Sequence, residues 1–232
     1  LTASALWQLQ YLSSGPNGMS EEYIKNSCVP EFYVGADYAS ASGWLTGGGV
    51  HLISLKPRTS SVWNEKTYKV NERMTALSYE AHVKYTGRHF TFAAKSLLAS
   101  CLDHTALIGG YGISSIDPDN GEQEYTPFWH STSWINFTCG TKWKGHFFAG
   151  YTKNLGTADV LVSATVYGMG LDIDQVFSTN IAFSYNLPHW QIGMEYMPTT
   201  AWYGDTDKVS GKTVNTHSVT NHRILGLVMY YF

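Results

Sequence analysis

The sequence predicts an all-β fold: strands running antiparallel, up and down, in a transmembrane barrel, with about ten strands in this chain. Three observations carry the prediction. The first is the last stretch, Thr220–Phe232, which ends on Tyr-Tyr-Phe. It is too short for a spanning helix, which needs about 20 apolar residues, and long enough for a tilted spanning strand of about 9–11. Read by twos, Phe232, Tyr230, Val228 and Ile224 share one face, and Tyr231, Met229, Leu227 and Arg223 share the other. Three rings at a bare terminus need cover, and lipid would supply it. The second observation is composition, and the third is the spacing of the connections.

Aromatic residues make up 15% of the 232 positions and charged residues only 14%, against a norm of about 25% charged. Mean hydropathy is -0.18, so no continuous apolar span exists. Many rings with few charges fit strands that are apolar on one face only. The length suits one large domain, residues 1–232, rather than two. A net charge of -3 offers no basic patch for nucleic acid. Three cysteines are too few for a disulfide scaffold; Cys28 and Cys101 could pair across two loops or stay free. The start at Leu1, without Met or an apolar leader, reads as a mature or incomplete chain.

Taken in order, Ala5–Leu12 alternates Trp7, Leu9 and Tyr11 with Gln8 and Gln10, and Ser13–Pro30 is a loop by composition. Glu31–Tyr38 alternates again. The next strand opens at Trp44 and runs to Leu55, where Gly47-Gly48-Gly49 marks a bend or a close backbone contact. Lys56–Glu72 is a second long loop. The clearest hairpin follows: Leu77, Tyr79, Ala81, Val83 and Tyr85 interleave with Ser78, Glu80, His82 and Lys84, and Thr86-Gly87-Arg88 turns the chain into His89–Leu98. Ala99–His130 is the longest connection, with an extended piece at Leu107–Ile113. Thr132–Gly140 pairs with His146–Lys153, and Asn180–Asn186 with Trp190–Met197; Gly204–Val219 is the last loop before the terminal strand.

Short turns near 40–43, 86–88, 141–145 and 187–189 therefore alternate with long loops near 13–30, 56–72, 99–130, 155–178 and 204–219. Membrane barrels show this asymmetry, and a soluble sandwich has no reason to keep its long loops on one edge. In hydrocarbon every backbone polar group must be bonded internally, so strands persist only in a closed ring. A charge on the lipid side at mid-depth costs about 2–4 kcal/mol, which puts Glu80, His82 and Lys84 on the lumen side.

The ending resembles the terminal strand of bacterial outer-membrane β-barrels, which close on Phe with an aromatic two positions earlier, here Phe232 and Tyr230. The resemblance makes these two residues the signal read by the barrel-assembly machinery. Terminal signature, alternation and loop asymmetry together look like those of general porins, most like the carboxyl-terminal part of a DcaP-like trimeric porin, a 16-stranded family. The likeness covers the chain's rhythm and its last strand, with no diagnostic internal motif. It implies a bacterial outer-membrane location among lipid and lipopolysaccharide, a homotrimer or larger envelope complex, and passive diffusion of small hydrophilic solutes or ions. It also implies that the first several strands lie outside this numbering, and it brings no cofactor.

The expected lumen lining is Gln8, Gln10, Asp37, Glu80, His82, Lys84, Lys95, Gln191, Glu195 and Arg223. Acidic and basic walls facing each other would set a transverse field across a constriction; the same side chains could instead form neutralising ladders. The Ala99–His130 connection is expected to fold inward, because Leu107-Ile108-Gly109-Gly110-Tyr111 needs cover. Asp117, Asp119 and Glu122 are a truncated echo of a Ca²⁺ loop, and more plainly a solvated acidic turn. No H-x-x-x-H or C-x-x-C spacing suggests zinc. Two alternatives remain: a non-conducting barrel subunit, and a hydrolase at the rim built on Asp103-His104 or Asp205-x-Asp207.

Overall fold

The computed structural model describes all of residues 1–232. In chain order its elements are β1 (Thr2–Leu6), β2 (Ser14–Gly15), β3 (Gly18–Met19), α1 (Glu22–Ser27), β4 (Glu31–Ala39), β5 (Trp44–Leu55), β6 (Ser60–Trp63), β7 (Lys66–Lys69), β8 (Met74–Thr86), β9 (Phe90–Ser100), a 3-10 turn (Asp103–Thr105), β10 (Gly109–Ile116), β11 (Gln123–Gly140), β12 (Trp143–Thr157), β13 (Val166–Met169), β14 (Ile173–Asn186), β15 (Trp190–Thr206) and β16 (Thr213–Tyr230). Strands take 67% of the chain.

One antiparallel sheet follows the path β1-β4-β5-β8-β9-β11-β12-β14-β15-β16, with β10 and β13 attached beside β11. The fold is thus all-β with up-and-down neighbours, as expected. The expected ring is not closed: β1 and β16 are the free edges of an open sheet.

Boundaries differ from the sequence reading at several places, each with a local cause. The first strand is Thr2–Leu6, not Ala5–Leu12. Gln8 ends it: the side chain is buried, its amide nitrogen donates to Ser13 Oγ and Glu31 Oε1, and Ser13 N donates back to Gln8 Oε1. The segment closes on itself instead of extending. Near the long connections, β11, β12, β14, β15 and β16 run well past the expected ends, leaving only residues 207–212 at the last tip. Ladder hydrogen bonds are made by the backbone and continue where polar side chains stand on both faces, so apolar alternation marks only part of each strand. The triple glycine produces no bend; β5 runs straight through it.

Register fixes two faces. Leu52 lies opposite Leu77, Tyr85 opposite Phe92, Phe92 opposite Phe137, Phe137 opposite Phe147, and Phe147 opposite Ile181. The row continues through Phe183 with Met194, Ile192 with Val228, and Tyr196 with Ile224. From the short turns up to Lys153 on β12, this apolar face carries no Asp, Glu, Lys or Arg. The opposite, polar face carries Asp37, Glu80, His82, Lys95, Glu195 and Arg223.

The buried core sits on the polar face at the end of the long connections. Tyr23 and Ile24 of α1 pack with Ile53, Leu55, Met74, Ala76, Cys101 and Tyr111. Each large side chain buried there is worth about 1.5–3 kcal/mol. The Tyr111 hydroxyl donates to Ser14 O, and Lys56 N donates to Tyr23 O, tying three connections into one cap. From the Ala99–His130 connection, which was expected to fold into a pore, Cys101 and Tyr111 are fully buried in this cluster; the open sheet encloses no pore for it to enter.

Candidate functional site

The polar face of β4, β5, β8 and β9 holds a connected set of ionisable groups. His82 lies opposite both Gly47 and Lys95. Its Nε2 is 2.9 Å from Asp37 Oδ1 and its Nδ1 3.2 Å from Glu80 Oε2. Lys95 Nζ is 3.1 Å from the same Glu80 oxygen, and the Tyr33 hydroxyl donates to Glu80 Oε1 at 2.8 Å. Glycines make room for this layer. A Cβ on Gly35 or Gly49 would collide with the Tyr33 side chain, and one on Gly47 with Asp37 and His82. Tyr33 and Asp37 therefore lie flat along the wall rather than projecting from it.

These charges neutralise one another within one wall. Glu80 and His82 sit two apart on β8, Lys95 reaches Glu80 diagonally across the β8–β9 pair, and Asp37 and Tyr33 reach over β5, so the contacts all lie within one sheet. Farther along, Arg223 Nη2 pairs with Glu195 Oε1 at 2.9 Å, and the Tyr231 hydroxyl donates to Gln191 Oε1. Lys84 lies on the same face and is exposed. Gln10 is exposed in a bend, and Gln8 is in the loop contact described above, so neither lies on a strand.

A second cluster closes the wall beneath the cap. Glu31 Oε2 accepts from His51 Nε2 at 3.0 Å and from His104 Nε2 at 3.1 Å, while Gln8 Nε2 donates to Oε1 at 2.6 Å. Glu31 is 3% exposed and His104 6%. With both Nε2 atoms committed, the two Nδ1 atoms are buried without a protein partner. Asp103 belongs to the same junction: Oδ2 accepts from Ser14 N. Asp103 and His104 stand on a 3-10 turn, not on a strand, so these neighbours bind different partners in one clamp. A cavity of about 790 Å³ opens beside it, lined by Trp7, Gln10 and Tyr11 as well as Glu31 and the two histidines.

Glu31 and His51 were absent from the sequence reading of the lining. His51 shares strand parity with Gly47 and Gly49, and Glu31 with Tyr33 and Asp37, so the alternation contained the signal; their meeting with His104 did not, since 73 positions separate it from Glu31.

The acidic tip is a turn bonded both to itself and to the β6–β7 connection, where Ser61 Oγ donates to Asn120 O and Trp63 Nε1 to Pro118 O. Asp119 N donates to Asp117 Oδ1, Glu122 N donates to Asn120 Oδ1, and the Glu122 carboxylate accepts from Asn71 and Glu72 backbone N–H groups. No group of three His, Cys, Asp or Glu side chains is arranged to hold a metal ion. Asp207 accepts from Ser210 in the last tip, which holds its carboxyl below the ordinary value. Cys28, Cys101 and Cys139 are all free thiols.

At the short-turn end, rings gather on the apolar face. Trp44, Tyr85, Phe90 and Phe137 follow one another at 4.8, 5.2 and 5.8 Å between centroids. Trp190 meets Tyr230 at 4.8 Å, and Tyr230 meets Phe232 at 5.1 Å. The chain matches no family model, no curated protein and no solved structure.

Proposed function

We propose that the chain forms wall of an outer-membrane β-barrel that passes small hydrophilic solutes or ions passively. The observation that carries the reading is the apolar face: ten strands wide, without a charge from the short turns to Lys153, and bordered by aromatic rings. Lipid would cover that face, and the polar face would line water. The free edges of β1 and β16 would then need partners, because each unpaired backbone group costs several kcal/mol in hydrocarbon. Pairing β1 with β16, or inserting further strands as in a 16-stranded trimeric porin, would supply them. In this setting Tyr230 and Phe232 serve as the insertion signal, and lipopolysaccharide borders the loop end.

A second reading, a non-conducting barrel subunit, draws on the apolar cap that covers the polar face at the loop end. A rim hydrolase draws less support, since His104 has one ring nitrogen on Glu31 and the other enclosed. Purified protein in a planar bilayer separates the first two: discrete conductance steps are expected from a channel, and none from a plugged wall.

A further inference from the structure

We infer that the polar face carries a binding platform for neutral, hydroxyl-rich solutes, built on Trp134 and Phe148; its biological setting rests on the channel reading. Trp134 lies opposite Gly150, and Phe148 lies opposite Asn136 on one side and Asn180 on the other. Gly150 is what lets the Phe148 ring lie back along the strand: a Cβ there would sit 2.9 Å from its Cζ and 3.1 Å from its Cε1. The ring therefore rests beside Trp134, with centroids 6.3 Å apart and planes inclined by 33°. Two aromatic faces form a shallow floor on the face that carries the amides and charges, with Leu97, Leu225 and Leu227 on the same side.

The flanks of this floor are amides. Asn136 and Asn180 bracket Phe148, and His146 follows toward the short turns, its Nδ1 3.1 Å from Thr138 Oγ1. On the Phe148 side a concavity of about 410 Å³ is lined by Asn136, Asn180, Gln191 and Glu195 together with the apolar Leu225 and Leu227; Trp134 borders a neighbouring one of about 520 Å³ with His82, Lys95 and Gly150. An amide presents a donor pair and an acceptor side by side, which matches vicinal hydroxyls. The C–H face of a sugar ring stacks on aromatic carbon while its hydroxyl edge bonds to amides. The charges nearest the rings are engaged, Lys95 with Glu80 and Glu195 with Arg223; Lys144, two residues beyond His146 on the same face, has no ion-pair partner. A carboxylate or phosphate would find no free counter-charge among the lining residues. Amides supply bonds to hydroxyls without a net charge to attract an anion, so this lining favours neutral solutes over anions.

The test is calorimetric titration of the full chain, folded in detergent, with maltotetraose and with the anionic tetragalacturonate. Saturable binding of maltotetraose is expected, with tetragalacturonate at least tenfold weaker. Trp134→Ala should weaken maltotetraose at least tenfold, and Trp143→Ala, on the other face, should leave it unchanged. Phe148→Leu keeps apolar bulk and loses the ring; it should weaken binding several-fold with an unaltered circular dichroism spectrum. No saturable binding by the unmodified chain, tighter binding of the anion, or unchanged binding in both Trp134→Ala and Phe148→Leu would overturn the inference. Conductance without binding removes the platform alone, and binding without conductance removes the channel alone.

Discussion

On β8, Tyr79, Val83 and Tyr85 stand on one side of the ladder and Glu80, His82 and Lys84 on the other. The two sets obey different rules. On the polar face ionisable groups find each other, as Glu80 does with Lys95, His82 and Tyr33. On the apolar face large side chains reach outward with nothing over them: Phe183 is 65% exposed, Met194 66% and Ile224 73%. In water a surface of that extent drives association. The contrast sets a face of engaged charges against a face of uncovered apolar side chains, the division that the proposed placement between lipid and water requires.

The largest effect expected on the polar side comes from the clamp. Glu31→Ala removes the acceptor shared by His51, His104 and Gln8, and breaking such a buried pair costs about 3–5 kcal/mol. Denaturant unfolding of the folded protein in detergent would read this as a lower midpoint; a loss below about 1 kcal/mol would mean the clamp is not structural.

Adjacent residues on β14 sharpen the comparison further. Ile181→Arg, on the apolar face, should cost about 2–4 kcal/mol in a bilayer, whereas Asn180→Arg, one step along on the polar face, should cost under about 1. Equal costs would erase the distinction between the faces. The smallest effect is chemical rather than energetic. Burial pushes the Cys101 thiol well above its ordinary value, while Cys28 is exposed. A charged maleimide at neutral pH should label Cys28 in the folded protein and Cys101 only after unfolding; prompt labelling of Cys101 would show that the cap is open.

The alternation of Leu77–Tyr85 and of Trp190–Tyr196 made the strands, the neighbour order and the two faces legible, because a period of two survives in the residues themselves. The clamp was not legible. Gln8 reads as one more alternating position until its amide is seen to fold back on Ser13 and Glu31. The 3-10 turn that brings His104 to Glu31 has no periodic signature either. Facing walls of opposite charge were expected as one possibility beside neutralising ladders; the open sheet has no facing wall, and what it shows is Glu80 meeting Lys95 diagonally across the β8–β9 pair. Trp134 and Phe148 were readable by parity, but a lining chosen by side-chain polarity passes over rings.

The central claim, that alternate side chains of each strand face different media, is tested most directly by spin labels in lipid-reconstituted protein. Labels at Tyr79, Val83, Ile192 and Met194 should collide with dissolved oxygen and stay shielded from a water-soluble nickel chelate, while labels at Asn136 and Asn180 should show the reverse. Free access of the chelate to the first four positions would contradict the account.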